Sequence, residues 1–117
     1  MKNQPFTQKL ANAIAGIRFT FTTERNFRTH TLLGTLLIIV MLIVQPTLIW
    51  WALMLLCIGL VLAAELANTA IETLADHLHP DLHPAIGNVK DIMAGMVLVM
   101  SIAAALVGLL AVIDRLT

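Results

Sequence analysis

Glu65-Leu66-Ala67-Asn68-Thr69-Ala70-Ile71-Glu72, running on to Asp76, follows the uncharged run Thr47–Ala64 with no break between them. A helix that continues through both turns by about 100° per residue, which brings Glu65, Asn68, Glu72 and Asp76 into one narrow stripe. The stretch reads as a hydrophobic helix that leaves a bilayer carrying a ribbon of carboxylates and an amide. Polar groups in such a place are costly and usually face a bundle interior, so they mark a functional site by default.

The composition around it agrees. Of 117 residues, 59 % are hydrophobic and 12 % charged, and mean hydropathy is +0.90. A single domain of this size has no soluble core large enough to hide so much apolar surface, so the class is an all-α integral membrane protein. Formal net charge is zero, yet Lys2, Lys9, Arg18, Arg25 and Arg28 all precede the first long apolar run. No basic block is interleaved with aromatics, which excludes nucleic acid as a partner. Cys57 stands alone in the middle of an apolar run, so a disulfide framework is excluded and it counts as a small membrane hydrophobe.

Working outward from the stripe, residues 1–28 carry Phe6, Leu10, Ala13, Ile14, Ile17 and Phe21 at helical spacing, with polar and basic residues on the other faces. This predicts an amphipathic helix in the membrane interface rather than a soluble helix packed on a partner, because Arg18, Arg25 and Arg28 can pair with headgroups. A first span is expected over 29–45, with Arg28 snorkelling at its entry. A cleavable signal is not expected, since about thirty mostly amphipathic residues come first, where a signal has only a short basic region. Gln45-Pro46 is a tight break, Pro46 suits the first turn of the next helix, and Trp50 and Trp51 read as interfacial anchors.

The second span is expected over 47–78, its last part a cytoplasmic extension. His79-Pro80-Asp81-Leu82-His83-Pro84 breaks it. A third span over 90–113 opens at Lys90-Asp91; Ile92–Ile113 carries no charge, and Gly95, Ala103, Ala104, Ala105 and Gly108 give it small faces for helix contact. The basic residues ahead of the first span place the amino terminus in the cytoplasm. Three spans then return Glu24, the acidic stripe and Lys90-Asp91 to one membrane face.

Carboxylates hold Mg²⁺ beside substrate phosphates, usually one or two per ion. A lysine adds a point charge for phosphate, and a carboxylate at the lipid boundary can accept a hydroxyl proton. Together these are the parts of phosphoryl transfer, although G-x-x-x-x-G-K-[ST] and G-x-G-x-x-G are both missing. Spacing alone leaves catalysis, an ion-coupled small membrane transporter and an accessory subunit all open. His77, His79 and His83 form H-x-H-x₃-H, which lacks the fourth partner of a structural zinc site. Three helices cannot enclose so many polar groups unaided, which argues for self-association.

The segments Glu24-Arg25-Asn26-Phe27-Arg28-Thr29-His30, Glu65 to Glu72, Asp76 and Lys90-Asp91-Ile92-Met93-Ala94-Gly95 resemble the prokaryotic diacylglycerol kinase family, which includes the undecaprenol kinases. The likeness runs over about residues 9 to 113. It implies one membrane-embedded lipid kinase domain over 1–117, assembled as a homotrimer in a bacterial inner membrane. Each protomer would have three spans and a surface helix, and would transfer the γ-phosphoryl group of ATP, with Mg²⁺, to the hydroxyl of diacylglycerol or undecaprenol. Carried over by motif, Glu65 matches the catalytic base and Asn68 its polar partner. Glu24 and Glu72 match the metal-binding carboxylates that also hold the nucleotide, and Lys90 and Asp91 match the nucleotide-contacting pair. Asp81 and His83 lie where the family's loop meets the nucleotide, while Phe27, Arg28 and His30, with Glu65, fall at the lipid. His30 stands where the enterobacterial enzymes are acidic, and Glu24 to His30 looks more like the undecaprenol kinase branch.

Overall fold

The computed structural model describes residues 3–79, 81 and 83–117, so Lys2, and Pro80 and Leu82 of the loop, lie outside the described residues. Among the described residues, four α-helices follow one another: α1 (Phe6–Thr23), α2 (Arg25–Val44), α3 (Leu48–Leu78) and α4 (Pro84–Leu116). The last three are each long and apolar enough to cross a membrane, with mean hydropathies of 2.0, 2.2 and 2.8. Only 17, 22 and 11 % of their most apolar windows is buried within the chain, so most of that surface has to meet lipid or other subunits.

The helix ends differ from the sequence reading in three places, each with a local cause. The first break falls at Glu24, not after residue 28. Glu24 is extended (φ −111°, ψ 111°), and its N–H closes α1 on the Thr20 carbonyl at 2.8 Å. Arg28, one turn into α2, bends back so that Nη1 donates to the carbonyls of Phe21 at 2.7 Å and Thr22 at 3.2 Å. Those oxygens belong to the last turn of α1, where no intrahelical donor reaches them.

The second difference is at the start of α4, at Pro84 instead of Lys90. Pro84 occupies the first turn, where a missing N–H costs nothing, and the Ala85 N–H donates to His83 Nδ1 at 3.0 Å. A proline read as a breaker therefore begins the helix. The third is at Pro46, which precedes α3 instead of lying in its first turn. The chain turns on Gln45, in the left-handed region at φ 54° and ψ 61°, with its N–H on the Met41 carbonyl at 2.8 Å.

Packing is built on the α3–α4 hairpin, with α2 antiparallel to α3 along one side. Met54 is fully buried and is joined in the core by Met41, Val61, Val97 and Ala111. Small residues let the backbones approach. A Cβ at Gly34 would sit 3.2 Å from Ile58 Cγ2, and one at Gly108 would meet Leu37 at 3.6 Å and Met54 at 3.8 Å. Gly34→Val is expected to destabilise the fold by about 1–3 kcal/mol through overpacking, read as a lower thermal midpoint in detergent micelles. No change in midpoint would contradict the close α2–α3 approach.

At one end of the bundle the polar groups are tied to one another. Trp50 Nε1 donates to Asp114 Oδ2 at 2.9 Å, and Arg115 Nε donates to the Val44 carbonyl at 3.2 Å. The acidic stripe lies at the opposite end.

Candidate active site

Glu65 comes at the point where the apolar part of α3 gives way to the stripe. It is 2 % exposed, and its Oε1 pairs with His30 Nδ1 from α2. The other ring nitrogen, Nε2, lies 3.2 Å from Ser101 Oγ on α4. Three helices thus meet through one imidazole. A buried carboxylate is tolerated only when paired and hydrogen-bonded, and His30 supplies that pairing. One turn further along α3, the Thr69 hydroxyl donates to the Glu65 carbonyl at 3.0 Å, and Thr73 donates to the Thr69 carbonyl at 2.7 Å. These bonds keep two hydroxyls satisfied without drawing on the Glu65 side chain.

The next level of the stripe holds Asn68 and Glu72. Asn68 Nδ2 faces Glu72 Oε1 at 3.5 Å, the outer limit of a hydrogen bond. Turning the amide over would set its oxygen against the carboxylate, so the nitrogen belongs on that side. Asn68 Oδ1 is sealed from solvent and has no hydrogen-bond partner among the described residues. A buried acceptor of this kind is an open demand for a donor, which a substrate or water can supply.

Glu24, the residue between α1 and α2, is half-buried, and its side chain caps neither helix. Its carboxyl is held above the ordinary 4.5, first by burial and then by the charges of Glu72 and Glu65, with Arg28 opposing them. Three carboxylates, two on α3 and one at the junction of α1 and α2, therefore repel one another at this end. A divalent cation beside a triphosphate relieves such repulsion, and Glu24 and Glu72 suit the one or two carboxylates that Mg²⁺ normally takes. Among the described residues no group of three or more His, Cys, Asp or Glu is gathered as a metal cage. Any ion here would need phosphate oxygens and water to complete its shell.

The remaining expected residues are more scattered. Lys90 Nζ lies 2.6 Å from Asp76 Oδ1, which ties the start of α4 to the end of α3. Asp91 and Asp81 are exposed, and His83 is engaged as the cap of α4. Phe27 is 4 % exposed and packs edge-on against Phe21 of α1, with ring centres 6.4 Å apart. Arg28 is occupied with the end of α1. So Glu65 and His30 meet, Asn68 and Glu72 meet, and Glu24 feels both carboxylates. Asp81, His83 and Asp91 make no side-chain hydrogen bond or ion pair with that group among the described residues.

Ser101 was not among the expected residues, although it is the one polar side chain in Ile92–Ile113. A lone hydroxyl in an apolar span was the available signal. Below His30 and Ser101, an apolar groove of about 420 Å³ runs between α2, α3 and α4 past Gly34, Val61, Ala105 and Gly108. Its polar head is His30 and Ser101, and His30 links it to Glu65.

Residues 11–112 match the sequence profile of the family described as prokaryotic diacylglycerol kinase. The chain is similar to the undecaprenol kinase of Bacillus subtilis (strain 168), 34 % identical over 111 residues that cover 95 % of this chain and 90 % of that protein. It is similar to the diacylglycerol kinase of Synechocystis sp. (strain ATCC 27184 / PCC 6803 / Kazusa), 38 % identical over 97 residues, 82 % of this chain but 55 % of that one. The diacylglycerol kinase of Haemophilus influenzae (strain ATCC 51907 / DSM 11121 / KW20 / Rd) is 33 % identical over 79 residues, 68 % of this chain and 67 % of its own. No solved structure matches the chain.

Proposed function

Because the chain belongs to the prokaryotic diacylglycerol kinase family, we propose that the cluster at Glu24, Glu65 and Glu72 is its active site. The protein is a multi-pass membrane lipid kinase, a phosphotransferase with an alcohol acceptor. The donor is ATP, and the acceptor is the hydroxyl of diacylglycerol or undecaprenol. It works as a homotrimer in a bacterial inner membrane, with α1 as an amphipathic surface helix, the amino terminus in the cytoplasm, and 1–117 as one kinase domain. The observation that carries the site is the buried Glu65 paired with His30, which with Ser101 forms the polar head of an apolar groove.

In this reading the lipid chain lies in the groove and its hydroxyl reaches the level of Glu65, whose carboxylate takes the proton as oxygen attacks the γ-phosphorus. Burial keeps water from competing as acceptor. Glu24 and Glu72 would hold Mg²⁺ with the nucleotide, and the ion supplies charge compensation on the phosphates. Asn68 spans the two levels, with its amide nitrogen toward Glu72 and its unpaired Oδ1 available to a donor. Lys90 exchanges Asp76 for a phosphate oxygen, with Asp91 beside it. Asp81 and His83 flank the nucleotide from the loop, and Phe27, Arg28 and His30 border the lipid headgroup.

The test is purified protein in mixed micelles with Mg²⁺, γ-labelled ATP and, in parallel, diacylglycerol and undecaprenol. Label is expected in one or both lipids. An ion-coupled transporter would label neither, and it has no support from the relatives named above.

A further inference from the structure

Among the described residues Ser101 Oγ has two hydrogen-bond partners, the Val97 carbonyl at 2.7 Å and His30 Nε2 at 3.2 Å. A carbonyl oxygen can only accept, so the shorter contact takes the hydroxyl hydrogen. What Ser101 then offers His30 is a lone pair. The 3.2 Å contact is a hydrogen bond only if Nε2 carries the hydrogen. A neutral imidazole has one N–H, and with it on Nε2 the other nitrogen is bare. That nitrogen, Nδ1, is the one facing Glu65 Oε1. Two lone pairs do not face each other at hydrogen-bonding distance beside a carboxylate that is 2 % exposed, so a single further proton lies between them.

We propose that Ser101 is a positioning residue for phosphoryl transfer, fixing the Nε2–H form of His30 so that Glu65 Oε1 stays engaged with a shared proton and Oε2 alone faces the acceptor. This rests on the reading of Glu65 as the base. With the shared proton on Nδ1, Glu65 is a carboxylate. The lipid O–H bond breaks, its oxygen bonds to the γ-phosphorus of ATP as the bond to the bridging oxygen breaks, and the proton passes to Oε2. Water removes it before the next turnover. Without the Ser101 lone pair, the neutral ring is free to place its hydrogen on Nδ1 instead. The carboxylate is then held by a different hydrogen bond, and its aim at the acceptor is no longer set from α4.

The test combines kinetics with ¹⁵N spectra of ring-labelled histidine in micelles, the His30 signals being identified by their loss in His30→Gln. In the native protein Nε2 is expected to keep the shift of a protonated nitrogen whenever the ring is neutral, and in Ser101→Ala to move to that of a bare one. Ser101→Ala is expected to lower kcat by about tenfold, the scale of one lost hydrogen bond, with KM for ATP and lipid little changed. Ser101→Thr, which keeps an oxygen on the Val97 carbonyl, is expected to restore it. A bare Nε2 in the native protein, a protonated one in Ser101→Ala, native kcat in Ser101→Ala, or a threonine variant no better than alanine would each overturn the proposal. Glu65→Gln assayed alongside separates the two claims. Retained turnover there overturns the base reading itself, whereas loss there with no effect of Ser101→Ala overturns only the role of Ser101.

Discussion

Glu65→Gln is expected to lower turnover by about 10²- to 10⁴-fold, the range that a positioned general base contributes, while leaving ATP binding largely intact. Glutamine has the size and shape of glutamate, so the packing around a 2 % exposed side chain is preserved and the change is chemical. It can still hydrogen-bond His30, but it cannot accept the hydroxyl proton. Among the described residues no other carboxylate sits beside His30, and Glu72 lies two turns further along α3, where it is half-buried. Transfer of label from γ-labelled ATP to lipid measures the loss, and binding of a fluorescent ATP analogue measures what remains. Wild-type turnover would remove Glu65 from the base position.

The second large effect is expected at Glu24 and Glu72. Changing either to glutamine should raise the concentration of Mg²⁺ and ATP needed for half-saturation by at least about tenfold. Glu24 adds a pH signature. Its carboxyl is raised above 4.5 by burial and by Glu72 and Glu65, so between 4.5 and its raised value the folded protein binds more proton than the unfolded chain. Its contribution therefore favours the ligand-free fold at low pH and is lost as pH rises through that window. Ion binding runs the other way, because the cation needs the carboxylate and releases the proton. Affinity for Mg²⁺ with ATP is expected to fall as pH drops through the window, and Glu24→Gln should flatten that slope. An unchanged slope in the variant would show that the proton is released elsewhere.

Much of this was legible in the chain itself. The α3 stripe follows from helical periodicity, which places Glu65, Asn68 and Glu72 on one face before any neighbour is known. The three long apolar helices follow from hydropathy. What local patterns do not carry is the partner across a helix interface. His30 and Ser101 lie 71 residues apart, and their meeting depends on how α2 and α4 are staggered, which is set by Gly34, Gly108 and Met54 in the packed core. The break at Glu24 was hidden for a related reason. Arg28 reads as a snorkelling residue of the span, yet its guanidinium is spent on two carbonyls of α1. Pro84 shows how one residue type ends or begins a helix depending on the turn it occupies.

The antiparallel pairing of α2 and α3 also acts as a ruler. At 1.5 Å of rise per residue, Glu24 and His30 are about 9 Å apart along α2, and Glu65 and Glu72 about 10.5 Å apart along α3. Since His30 touches Glu65, the two spacings coincide and the bundle end has two storeys, Glu24 with Glu72 above and His30 with Glu65 below. A triphosphate chain gripped on the upper storey would have to hang its last phosphorus downward to reach an alcohol on the lower one. Slipping α2 past α3 by a single turn, about 5.4 Å, would cover half of that drop and leave donor and acceptor on mismatched floors.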